Sequence, residues 1–162
     1  MELNEAIEKR FSNRKFLEKQ ISDDDLNKIL KAGMQAPVGR GKYDDMHITV
    51  IQNKDLLDEI SGLADRSVFY NAPTLVIISA RDDGHGLDRE NSACVAMNML
   101  LTATSLGLGN IYLNLVIGLI KESDVLNKLN LPDGFVPIVG VGLGYADGEH
   151  IVNHSIDVDF IK

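Results

Sequence analysis

Apolar residues recur along the chain at helical spacing in several places. After Ser22, four residues three or four positions apart would share one face of a helix: Leu26, Ile29, Leu30 and Gly33. Ser22 precedes three consecutive aspartates, as expected of an N-cap followed by an acidic first turn, and Pro37 helps to end this helix. The same kind of spacing predicts helices over residues 2–10, 53–64 and 123–130.

Runs of apolar and β-branched residues predict the strands. Residues 74–78, Thr-Leu-Val-Ile-Ile, are typical of a strand that is buried on both faces. Further runs predict strands at residues 46–51, 111–113 and 135–145. Helices and strands interleave without a repeat or a linker. The pattern therefore predicts one domain over residues 1–162, of the α/β or α+β class, with a central sheet.

The longest helical pattern, residues 88–106, is apolar nearly all round and almost uncharged after Glu90. A helix of this kind is central and is covered by the rest of the domain or by a partner subunit. Cys94 lies in the middle of it among apolar residues, so we expect an inert packing residue.

The charge and cysteine content exclude several classes of protein. Sixteen Lys and Arg against 24 Asp and Glu give a net charge of −8, which argues against general nucleic-acid binding. No apolar run approaches membrane-spanning length, and the charged N-terminus lacks the apolar core of a signal peptide. A single cysteine cannot form an internal disulfide. We therefore expect a cytoplasmic protein.

Four cations nevertheless crowd into eight residues, "KRFSNRKF" at positions 9–16. Arg10, Ser12 and Arg14 stand at every second position, and alternate side chains of an extended segment share a face. Two guanidinium groups beside a hydroxyl suit a phosphate, because arginine makes bidentate, charge-assisted contacts. The alternative is a solvated charged turn, which the spacing alone slightly favours.

Glycine-rich segments are the next candidates for a binding site. Residues 36–42, "APVGRGK", could let the backbone approach a ligand, but the Gly-Lys-Ser/Thr ending of a phosphate-binding P-loop is absent. Gly140, Gly142 and Gly144 alternate along the last strand and leave one face open to a flat molecule or another backbone. Asp147 stands where a dinucleotide fingerprint would need a final glycine. "LGLGNIYLN" after the long helix could shelter an aromatic ligand or simply end the helix.

A metal site is a weaker hypothesis. The segment "DDGHGLDRE" offers four possible ligands: Asp83, His85, Asp88 and Glu90. No helical His pair or Cys pair supports a metal site there. A polar loop is the favoured interpretation.

In this order the motifs resemble those of the nitroreductase family of flavoproteins. The resemblance runs over about residues 3–148 and rests on Arg-x-Ser-x-Arg at 10–14, "ILKAGMQAPVGRG", "MHITVI", "NAPTLVII", Leu-Gly-Leu-Gly at 106–109 and "LPDGFVPIVGVGLGYAD". It implies an α+β fold with a central mixed, mainly antiparallel sheet flanked by helices, and a homodimer that binds FMN at the subunit interface.

The resemblance also assigns cofactor contacts to three segments. The N-terminal segment would hold the phosphate and ribityl chain, the Ala-Pro loop would pass along the flavin ring, often from the partner subunit, and the strand after the long helix would lie near its reactive edge. The residues are Arg10, Phe11, Ser12, Arg14, Pro37, Val38, Gly39, Arg40, Lys42, Tyr112, Leu113 and Asn114.

The implied activity is flavin chemistry. NADH or NADPH would reduce FMN by hydride transfer, and reduced FMN would then pass electrons to a nitroaromatic, a quinone or a similar small aromatic acceptor in a ping-pong scheme. No essential acid or base side chain is expected.

Three departures from the family pattern keep an alternative open. The loop "APVGRGKYDDMH" lacks the usual Asn, Gln and Trp, so Arg40 or Lys42 would have to replace them. Many family members carry a pair of cations shortly after the Gly-Tyr that corresponds to Gly144-Tyr145, but here Lys162 is the only cation that follows. The chain is also short for the family. The alternative is a flavin-binding protein that stores or senses FMN without efficient turnover; a structural dimer without FMN is a third possibility.

Overall fold

One four-stranded antiparallel sheet forms the centre of the protein in the computed structural model, which describes residues 1–82, 84–146 and 154–162. The strands are β1 (Met46–Ile51), β2 (Thr74–Arg81), β3 (Gly109–Leu113) and β4 (Phe135–Gly144). Their order across the sheet is β1-β2-β4-β3, and every ladder is antiparallel. The α+β class is therefore confirmed.

Six α-helices surround the sheet within the described residues: α1 (Leu3–Lys9), α2 (Asp23–Met34), α3 (Lys54–Ser61), α4 (Asp88–Ser105), α5 (Leu115–Lys121) and α6 (Val125–Lys128). Ser22 caps α2 as predicted, since its Oγ accepts the Asp25 N–H at 3.1 Å. The sequence pattern missed α5, because "LVIGLIK" is a short apolar run with a glycine. It predicted a helix over residues 123–130, whereas α6 is a single turn, Val125–Lys128.

Helices cover both faces of the sheet. The alternation of side chains along β2 sends Val76 and Ile78 towards α2 and α4, and Leu75 and Ile77 towards α3, α5 and α6; all four are fully buried. The predicted strand buried on both faces is thus confirmed. It extends to Arg81, three residues beyond the predicted end.

The glycine face of β4 is filled by neighbouring side chains. A Cβ on Gly142 would lie 2.9 Å from Ile111 Cγ2, and one on Gly144 would lie 2.7 Å from Pro73 Cδ. These glycines therefore allow close packing inside the chain, and the face is not available to a flat ligand.

One side of α4 is not covered by the described part of the chain. Met97 is 46% exposed, and Cys94 is exposed too, so Cys94, expected to be an inert packing residue, is not covered by the described part of its own chain. The opposite side, with Ala96, Met99 and Leu100, is buried against the sheet and α2. Among the described residues no helix is both long enough and apolar enough to cross a membrane.

Candidate binding site at the edge of the sheet

The segment after α1 is fixed to the outer edge of β3. Ser12 forms an isolated parallel bridge with Asn110, and the Asn13 N–H donates to the Asn110 carbonyl oxygen at 2.9 Å. The Asn110 N–H donates in return to Asn13 Oδ1 at 2.8 Å. Both asparagines are almost fully buried. This pair sets where the next cation, Arg14, leaves the sheet.

Beyond this attachment no described strand pairs with the outer edge of β3. Because Asn110 directs its N–H and C=O outward, the alternation of an antiparallel ladder directs those of Tyr112 outward as well, whereas Ile111 and Leu113 bond to β4. Tyr112 is therefore in a position to offer a backbone donor and an acceptor to a ligand at this edge. Asn114 follows as the residue before α5, and its carbonyl oxygen accepts from Ile117 and Gly118.

A cavity of about 190 Å³ lies against this edge. Five of the predicted site residues line it: Ser12, Arg14, Tyr112, Leu113 and Asn114. The other lining residues come from the segment before β2 and from the flanks of β3: Arg66, Ser67, Val68, Tyr70, Ile111 and Leu115. The structure thus brings together two of the three segments that were expected to contact a cofactor.

The cavity is electropositive although the protein is acidic. Arg14 and Arg66 both line it, and no described lining residue carries a carboxylate. Neither arginine forms an ion pair within the part of the chain that the structure describes. Two exposed guanidinium groups without a described acidic partner attract an anion of matching size.

Arg10 has a different environment. It ends α1, where its backbone N–H donates to the Ala6 carbonyl oxygen at 3.0 Å, and neither Arg10 nor Phe11 belongs to the cavity lining. Burial lowers the pKa of the Arg10 guanidinium from its usual value.

Burial also raises the pKa of the Tyr112 phenol, an effect that the positive charge of Arg89 opposes.

The segment that carries Arg66 was missed by sequence reasoning. Val68 and Phe69 anchor it in the core, and the Ser67 Oγ accepts the Asn71 N–H at 2.9 Å. Tyr70 and Asn71 both have positive φ, 58° and 55°, in this turn. The only local signal was a cation and a serine in "DRSVFYNAP", more than fifty residues from Arg14.

The Ala-Pro loop does not line the cavity of its own chain. Its Gly39 N–H donates to Asn91 Oδ1 at 2.8 Å, which holds the loop against the start of α4. Arg40 has a φ of 60° and hydrogen-bonds the His85 ring. Consequently Pro37, Val38, Gly39, Arg40 and Lys42 all lie outside the described cavity.

Other candidate sites are weaker. Asp83, one of the four possible metal ligands, lies outside the described residues, and among those described no group of three or more His, Cys, Asp or Glu is placed to hold a metal ion. A larger depression of about 590 Å³ lies between α3 and the turn from α5 to α6. It contains three acids, Glu59, Glu122 and Asp124, and shares no lining residue with the cavity at the edge of β3.

Comparison with known proteins identifies the family. The family model of the nitroreductases matches residues 7–67 and 60–145. A protein of Archaeoglobus fulgidus, assigned by name as an NADH dehydrogenase/NAD(P)H nitroreductase, is 30% identical over 145 residues, which are 86% of this chain and 83% of that protein.

Solved structures give the same result. A nitroreductase of Bacteroides fragilis with bound FMN is 31% identical, with a TM-score of 0.85, over 100% of this chain and 98% of that chain. An FMN-dependent nitroreductase of Clostridium difficile is 26% identical, with a TM-score of 0.84, over 99% of each chain. The likeness thus extends over the whole sheet and its helices, and the chain belongs to the nitroreductase family.

Proposed function

We propose that the protein is an FMN-dependent oxidoreductase that uses NADH or NADPH to reduce nitroaromatics, quinones or similar acceptors. The observation that carries this proposal is the cavity at the edge of β3, where Arg14, Arg66 and the Ser12 hydroxyl meet the outward-facing backbone of Tyr112. The names of the relatives support the nicotinamide donor, and the FMN bound in related structures supports the cofactor.

The residues present fit the phosphate of FMN. A phosphate monoester needs cations and hydrogen-bond donors, and the cavity provides guanidinium groups and hydroxyls without a described carboxylate. The backbone of Ser12 is fixed by its bridge to Asn110, so the residue is held at the cavity before a ligand arrives.

The open strand edge fits the flavin ring. A heterocycle with neighbouring N–H and C=O groups pairs with backbone N–H and C=O groups as an additional strand would. Tyr112 offers both groups, and Leu113, Leu115 and Val68 provide an apolar lining. The proposed reaction needs no acid or base side chain at this edge, because the flavin would supply the redox chemistry.

FMN held there would supply the redox chemistry, accepting a hydride from NAD(P)H and giving electrons to the acceptor, with donor and acceptor using the site in turn. The protein would bind and orient. Arg14 would fix the phosphate, and the backbone of Tyr112 would fix the ring and hydrogen-bond it. The apolar lining residues would exclude water from one side of the site.

The site is incomplete in one chain, which favours a homodimer of single-domain subunits. The cavity of about 190 Å³ is smaller than the roughly 300–1,000 Å³ typical of sites for cofactor-sized ligands. The Ala-Pro loop lies outside it, and one side of α4 is exposed and apolar at Met97. A second copy that covers α4 would bring its own residues 36–42 to the cavity of the first.

The visible absorption spectrum of the purified protein tests the proposal, followed by chromatography of the chromophore released on denaturation. FMN at about one per subunit, with NADH or NADPH oxidation that depends on a quinone or a nitroaromatic, is the expected result. Bound FMN without turnover would instead favour the storage or sensor function, which the altered Ala-Pro loop makes the second candidate. A colourless protein that takes up no added FMN would contradict both.

A further inference from the structure

Arg66 occupies a position in the cavity that no motif assigned to it. It comes from the connection between α3 and β2, whereas Arg14 comes from the connection between α1 and α2. The fold brings these two distant segments to one cavity at the edge of β3, with Ser12 and Ser67 beside them. We propose that Arg66 is the second phosphate-binding cation of this protein, acting with Arg14 on the FMN phosphate, an inference that rests on the proposed function.

The first argument concerns charge. After Tyr145 the chain contains no Lys or Arg before Lys162, so a cation pair directly after the last strand is absent from the sequence. A phosphate monoester carries between one and two negative charges at neutral pH. Arg14 alone would leave part of that charge unbalanced, and Arg66 is the other cation among the described residues of the cavity lining.

The second argument concerns competition. An arginine that is already paired with a carboxylate loses that contact when it binds an anion, as Arg81 would, because its guanidinium lies 2.6 Å from Asp45. Arg66 has no such partner among the described residues, and the lining around it contains no described carboxylate. Its guanidinium group is therefore free to make charge-assisted hydrogen bonds with a phosphate.

The third argument concerns rigidity. Val68 and Phe69, which are 5% and 2% exposed, fix the backbone just after Arg66. The hydrogen bond from the Asn71 N–H to Ser67 Oγ closes the turn. A cation on a fixed backbone loses less conformational freedom on binding than one on a mobile loop. Tyr70 and Asn71 both have positive φ, and backbone strain of this kind is common beside binding sites.

The experiment compares the affinities of FMN and riboflavin for the parent protein and for Arg66→Ala, by fluorescence titration after removal of bound flavin. Riboflavin lacks the phosphate, so a phosphate contact affects FMN alone. We expect Arg66→Ala to weaken FMN binding about tenfold or more and riboflavin binding less than about twofold. Arg66→Lys should recover part of the FMN affinity, because it keeps the charge but not the bidentate geometry.

Lys31→Ala is the matched control, since it also removes one exposed cation, from α2, and should leave both affinities unchanged. An equal loss for FMN and riboflavin in Arg66→Ala would place Arg66 at the ring and overturn the inference, as would unchanged FMN affinity. Either result leaves the flavoprotein assignment intact if the parent binds FMN. A parent protein that binds neither flavin would overturn the proposed function together with the inference.

Discussion

Asn13 and Asn110 exchange two buried hydrogen bonds, from the Asn13 N–H to the Asn110 carbonyl oxygen at 2.9 Å and from the Asn110 N–H to Asn13 Oδ1 at 2.8 Å. This exchange attaches the basic segment to the sheet. Asn110 also donates from Nδ2 to Thr104 Oγ1, so that α4, β3 and the segment before α2 meet at one residue. The position of Arg14 therefore depends on the side chain of its neighbour.

Asn13→Ala should destabilise the protein and weaken FMN binding. It leaves the Asn110 N–H buried without its acceptor, which costs about 1–3 kcal/mol. Urea unfolding at fixed protein concentration measures the stability, and flavin titration measures the binding. Asn13→Asp keeps an acceptor for the Asn110 N–H but buries a carboxylate, so it should also destabilise the protein. Unchanged stability in Asn13→Ala would show that the hydrogen bond to Asn110 contributes nothing, and the explanation for the position of Arg14 would fail.

Met97→Asp should convert the proposed dimer into monomers. Met97 is exposed on the side of α4 that the described chain leaves uncovered, and a carboxylate there would have to be desolvated in a subunit interface. Sedimentation velocity at several concentrations measures the change. Met97→Leu keeps the apolar surface and should stay dimeric. A Met97→Asp protein that sediments like the parent would exclude this face of α4 from the interface.

Subunits with complementary defects should restore flavin binding. Arg14→Glu damages the cavity, and Arg40→Glu damages the Ala-Pro loop, which lies outside the cavity of its own chain. If the loop completes the partner's cavity, each variant alone binds FMN weakly. A co-refolded equal mixture should then recover about one quarter of the sites, since half of the dimers are mixed and each has one intact site.

The control is an equal mixture of Arg14→Glu subunits and Ser12→Ala subunits. Both substitutions lie in the cavity of the same chain, so every mixed dimer has two damaged sites, and no intact site is expected. If this control mixture also recovered FMN binding, the recovery in the first mixture could not be assigned to a loop that completes the partner's cavity. No recovery in the first mixture would show that the loop does not serve the partner subunit.

Local patterns predicted most of the fold, and distant contacts account for what they missed. The Ser22 cap and the apolar run from Thr74 are properties of neighbouring residues, which sequence patterns express directly. Arg66 lines the cavity just before the buried Val68 and Phe69, and Arg14, which lines the same cavity, lies more than fifty residues earlier. No spacing rule connects two residues so far apart.

The same distinction applies to the surfaces of helices and strands. Cys94 lies in a run of apolar residues, but whether it is covered depends on what packs on that side of α4, which the helical period does not reveal. Likewise, alternating glycines show that something approaches β4 closely without showing that the neighbours are Ile111 and Pro73.

Gly142→Ala should destabilise the protein through the sheet. The new Cβ would lie 2.9 Å from Ile111 Cγ2 and 3.2 Å from Ala72 Cβ, and overpacking of this kind costs about 1–3 kcal/mol. Ile111 belongs to β3, so the shift would also displace the edge that carries Tyr112 and lower the affinity for FMN. Urea unfolding and flavin titration measure the two effects.

Gly118→Ala in α5 is the control, because outside its own helix backbone its Cβ would meet no atom of the described residues within 4 Å, and alanine favours a helix over glycine by roughly 0.5–1 kcal/mol. We expect this variant to be as stable as the parent or slightly more so. If Gly142→Ala were as stable as Gly118→Ala, a Cβ at position 142 would not be overpacked. Because the glycine face of β4 would then tolerate a side chain, its tight packing could not be what positions the edge of β3.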